Sequence, residues 1–193
     1  ALVSLAGMVW AAFNAAYIVY LSFAPRLLGQ GGFGPIEAAA IASLASWVMI
    51  LSGPLCGQAA DRSGRPDLIL YGCLVVATIA LLLLPNSAWA VPLCLALGLI
   101  GMAPAGVIMA LPGEALSVEN RAFGMGIFFT WYFVVTAPAP MIAGWLYDVS
   151  ADANWPIYFA VALFIATAGF NMAFRIAQRT WPAAVMVSPA ADD

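Results

Sequence analysis

Six stretches of about twenty apolar residues, separated by short polar or Gly/Pro-rich breaks, leave this chain one medium in which to fold, because each matches one helical crossing of a hydrocarbon layer roughly 30 Å thick. They run from about Leu2 to Ala24, Glu37 to Ala60, Leu68 to Leu84, Ala88 to Leu111, Ala122 to Leu146 and Trp155 to Phe174. Inside lipid every backbone N–H and C=O must find an internal partner, which only helices and closed β-barrels achieve. Barrel strands need alternating segments of about ten residues. Continuous runs such as Leu81 to Leu84 do not alternate, so an all-α membrane protein with six transmembrane helices is expected.

Composition closes off the other classes. Charged residues are 8% of the 193 residues and hydrophobic ones 65%, against roughly 25% charged in a soluble domain. All six basic residues are arginines, placed singly or in short pairs, so no basic surface exists to neutralise a nucleic acid. The absence of histidine removes imidazole acid–base catalysis and most zinc chemistry. Cys56, Cys73 and Cys94 lie inside apolar stretches without metal-ligand spacing and read as buried free thiols. Neither a nucleophile–base pair nor a metal constellation is visible, so no enzyme, cofactor or metal is expected. The chain opens at Ala1 without a charged segment before the first apolar run, so no signal peptide is apparent, and a fragment of a longer chain is one reading of that start.

The arginines also orient the bundle. Arg62 and Arg65 fall between the second and third stretches, Arg121 between the fourth and fifth, and Arg175 and Arg179 after the sixth; Arg26 alone falls on the opposite side. Basic residues favour the cytoplasmic side, so both termini are expected there, with the loops around Arg26, Pro85 to Ala88 and Asp148 to Asn154 outside. Trp155, Tyr158 and Trp181 suit interfacial anchoring, and residues 180–193 read as a disordered cytoplasmic tail.

One motif is sharp. Gly57, Asp61, Arg62, Gly64 and Arg65 stand in a G-x-x-x-D-R-x-G-R run where the second helix should end. Gly57 lets helices approach closely, Asp61 can face a helix N-terminus or an arginine, and Gly64 permits a turn. Arg62 and Arg65 can bond carboxylates or carbonyls of an adjoining helix. Pro66 and Asp67 follow. The run resembles motif A of the major facilitator superfamily, except that this family often has basic residues where Pro66 and Asp67 stand. The resemblance implies a half bundle of six helices made of two inverted three-helix repeats, about 1–86 and 87–179, and secondary active transport of a small solute by alternating access. It also implies that the five motif residues form a gating clasp against a second six-helix bundle, from the missing half of the same chain or a homodimer mate. A shorter G-x-x-x-D, Gly144 to Asp148, closes the fifth stretch, and Pro54 and Pro140 precede the two copies, as inverted repeats would have it. The uncharged fourth stretch, the missing initiator methionine and the polar tail suit a C-terminal half.

By the same resemblance the first and fourth helices line the substrate path, the second and fifth flank it, and the third and sixth face lipid. Trp10, Asn14 and Tyr17 recur at helical spacing as a polar-aromatic stripe, and Trp131 and Tyr132 lie at similar depth on the fifth helix. Substrate contact and interhelical packing are equally good readings of these residues. Gly98, Gly101, Pro104 and Ala105 suit close packing or bending of the fourth helix, and Glu114 or Glu119 are candidate partners for the motif arginines. No charge lies mid-membrane, so a neutral substrate is expected, with proton coupling, where there is any, residing in the other half. An inner-membrane location is expected. The rival reading is a non-transporting scaffold or assembly factor that kept the fold.

Overall fold

The computed structural model describes residues 2–86, 88–116 and 119–180; the expected tail and the Trp181 anchor lie outside them. Six helices long and apolar enough to cross a membrane account for these residues: α1 Leu2–Gln30, α2 Pro35–Ser63, α3 Pro66–Leu83, α4 Ala90–Ala115, α5 Arg121–Ser150 and α6 Asn154–Thr180. All six expected stretches are helical, and the helices outrun them at most ends. At 1.5 Å per residue, the 29 residues of α1 span about 43 Å, the full thickness of a bilayer with its headgroup regions. Arg26, expected in a loop, is therefore carried on the last turns of α1, and Arg175 and Arg179 on the last turns of α6. A polar helix end is satisfied by water and headgroups, so the helix need not stop where the hydrocarbon does.

At the centre stands α1. It packs chiefly on α6 and α5, and on its other sides on α2 and the second part of α4. Its fully buried residues include Ala6, Ala11, Ala15, Ala16 and Ala24, small side chains that let neighbouring backbones come close. Among them Tyr20 is completely buried, and its hydroxyl donates to the Ala42 carbonyl of α2 at 2.8 Å. That hydrogen bond removes the penalty a phenol would suffer in an apolar interior.

The fourth helix is not continuous. Ala90–Ala96 is regular, Leu97–Gly101 widens into a π-helical turn, and Ala105–Ala115 resumes after Pro104, which has no N–H to give. Close packing sits at the same place. A Cβ on Gly98 would fall 2.4 Å from the Ala45 carbonyl oxygen of α2, and one on Gly101 would fall 2.9 Å from the Ala77 Cβ of α3. Ser52 donates to the Gly98 carbonyl at 2.8 Å, supplying a partner where the helical ladder is irregular. Both properties expected of this small-residue segment, close packing and bending, are present.

Helices α2 and α5 end alike. Gly64, three residues after Asp61, is left-handed at φ 63 and ψ 15, and its N–H bonds the Ala60 carbonyl. Ala151, three residues after Asp148, is left-handed at φ 54 and ψ 22, and its N–H bonds the Tyr147 carbonyl. The two differ upstream: α2 runs through Pro54, whereas α5 breaks between Thr136 and Ala139 around Pro138. Cys56, Cys73 and Cys94 are free and buried, as expected.

Candidate functional site

The corner between α2 and α3 is built by local chemistry. Gly64 takes the left-handed cap that an L side chain would resist. Ser63 donates to the Ala60 carbonyl at 3.1 Å and accepts from the Arg65 N–H at 3.3 Å. Arg65, non-helical at φ -128 and ψ 62, precedes Pro66, which opens α3 at a position where a missing N–H costs nothing. Asp61, Arg62 and Arg65 are all exposed, and among the described residues none is in an ion pair. The expected close approach at Gly57 is not made within this chain: a Cβ there would meet no atom within 4 Å, nor would one on Gly53 or Gly106. These glycines instead line an open groove of about 640 Å³ between α2 and α4, with Asp61 and Glu114 also on its walls.

Glu114, expected to meet the motif arginines, faces another way. Its carboxylate pairs with Arg175 of α6, whose Nε also holds the Asp67 carboxylate of α3 at 2.8 and 2.9 Å. Gln178 accepts from Arg175 at 2.9 Å, and Asn171 donates to Asp67 at 3.2 Å and to the Tyr71 hydroxyl at 3.1 Å. Three helix ends are thereby clamped on one guanidinium. Asp67, which the sequence presents as a departure from the motif, is a structural acid of this clamp. The signal was present in the spacing: Asp67 and Tyr71 stand at i and i+4, and Asn171, Arg175 and Gln178 at i, i+4 and i+7, each set on one helix face. Among the described residues, the Oδ1 of fully buried Asn171 has no hydrogen-bond partner.

The aromatic stripe is partly gathered and partly dispersed. Asn14 donates to the Trp10 carbonyl at 2.8 Å, so its amide is bonded within its own helix. Trp10 of α1 and Tyr132 of α5 lie 6.4 Å apart between ring centroids; Trp10 also stacks on Phe13 at 6.3 Å, and Phe13 meets Phe164 of α6 edge-on at 5.9 Å. Tyr17 turns to α2 and donates to the Ser46 hydroxyl at 2.7 Å. Trp131 sits beside Gly7, where a Cβ would fall 3.1 Å from the Trp131 Cβ. At the opposite end of the bundle the Arg26 guanidinium lies over the Tyr147 ring at 5.2 Å, tying α1 to α5.

Six apolar helices, a charged turn at the end of the second and a broken fourth helix define an all-helical bundle of the integral-membrane class. The family model described as Major Facilitator Superfamily matches residues 2–187, nearly the whole chain, and the chain belongs to that family. Six helices are half of the family's usual twelve, so the chain is a half bundle of a transporter fold. Neither the comparison with curated proteins nor that with solved structures gave a match.

Proposed function

We propose that this bundle moves a small neutral solute by alternating access, rocking against a second six-helix bundle, and that it performs no catalysis. The observation that carries the reading is the unspent corner of Gly57, Asp61, Arg62, Gly64 and Arg65. Three exposed charges, none in an ion pair among the described residues, stand at the α2–α3 corner, and Asp61 lines a groove whose glycines leave room for another helix; in lipid such charges are costly unless water or a partner meets them. A second bundle supplies both, Asp61 facing a helix N-terminus and the arginines its carboxylates. Exposed Trp47, at helical spacing from Pro54 and Asp61 on α2, adds apolar surface for that partner.

In this reading the solute meets Trp10, Asn14, Tyr17, Trp131 and Tyr132. The half is the C-terminal one, its two three-helix repeats being about 1–86 and 87–179, and it lies in the inner membrane with both termini cytoplasmic. The matched left-handed ends of α2 and α5 favour the repeat assignment. Replacing Asp61 by Asn in the full-length protein tests the clasp: solute flux should fall and labelling of the outward-facing cavity should decrease. Unchanged flux with unchanged accessibility of both faces would refute it.

A further inference from the structure

Between α3 and α6 lies a second hollow, of about 230 Å³. Its walls are Val75, Thr78 and Ile79 on one helix and Ile165 and Ala168 on the other, with Tyr71 closing one end. The floor is Phe164, fully buried, and the small side chain of Ala168 makes the recess. Nothing charged lines it. Ile165, Met172, Ile176 and Arg179 recur at helical spacing and are all exposed, so one continuous stripe of α6 runs from the hollow to a cation at the helix end. Arg179 makes no ion pair among the described residues, whereas Arg175 is already held by two carboxylates.

The depth fits one class of ligand. At 1.5 Å per residue, Ala168 and Phe164 lie about 16 to 22 Å along α6 from Arg179. A leaflet extends about 20 to 22 Å from its surface to the midplane, headgroup region included. A lipid with its phosphate at Arg179 thus brings the far half of its tail to the hollow between α3 and α6. We propose that the α3–α6 groove is a binding site for one acyl chain of an anionic phospholipid whose phosphate pairs with Arg179.

The test uses the full chain in phosphatidylglycerol vesicles doped with a phosphatidylglycerol that carries a diazirine near the end of one tail. After photolysis, insertion is mapped by peptide mass spectrometry. Label should appear on Val75, Thr78, Ile79 and Ile165. Ala168→Phe, which fills the recess, should abolish groove labelling and leave that on Met172 and Ile176, showing that the variant is still inserted. Arg179→Gln should lower groove labelling roughly fivefold, as the loss of one basic residue at an anionic surface predicts. Groove labelling undiminished by Ala168→Phe would mean ordinary surrounding lipid and overturn the site. Groove labelling unchanged in Arg179→Gln would overturn the phosphate contact.

Discussion

At the left-handed caps two residues do the same work with different side chains. Gly64 adopts φ 63 without strain, whereas Ala151 holds φ 54 against the contact of its Cβ with the following carbonyl, a cost of about 1 kcal/mol. Ala151→Gly should therefore raise stability by about 0.5–1 kcal/mol, seen as a higher midpoint of thermal unfolding in detergent, and Gly64→Ala should lower it by a similar amount. The two buried glycines of α4 have no such tolerance. A Cβ on Gly98 would enter the Ala45 backbone, which cannot swing aside as a flexible side chain does, so Gly98→Ala should cost about 1–3 kcal/mol or more. Gly57 is the contrasting case. Because its surroundings are open within this chain, Gly57→Leu should leave unfolding of the isolated bundle unchanged and yet reduce transport in the full-length protein.

Among the elements, α3, α4 and α6 are joined at one end by the Asp67–Arg175–Glu114 clamp. Arg175 is about one-fifth exposed, so screening moderates each pair, but its removal leaves two carboxylates facing each other without a cation. Arg175→Gln should destabilise the bundle by about 1–3 kcal/mol, and adding Asp67→Asn should recover part of that loss. A double-mutant cycle of unfolding midpoints would measure the coupling; strict additivity of the two changes would show that the pair is only a surface contact. The bends behave differently. The π-helical turn in α4 and the proline break in α5 interrupt two helices in mid-course, where each can bend with little loss to the hydrogen-bond ladder on either side.

For the whole molecule, an apolar exterior around a central α1 suits lipid, and a charged, glycine-lined corner at one end suits a partner. Asn14→Ala separates the two uses of the aromatic stripe. Its amide already bonds the Trp10 carbonyl, so the substitution should leave protein abundance nearly unchanged and alter apparent solute affinity in a vesicle uptake assay. Equal loss of folded protein and of flux would instead assign Asn14 to packing.

Length and continuity of the apolar runs were enough to determine six helical crossings, because a hydrocarbon solvent permits few alternatives, and a short motif was enough to point to the family. The position of Gly64 at a left-handed turn was legible too, since only its neighbours in sequence decide that geometry. Which carboxylate meets which arginine was not. Glu114 and Asp67 are 47 residues apart and Arg175 lies 61 beyond Glu114, so their meeting depends on how α3, α4 and α6 are rotated about their axes. That rotation is set by packing at residues such as Gly98, Gly101 and Phe164, whose apolar or featureless side chains carry no sign of which neighbour they will touch.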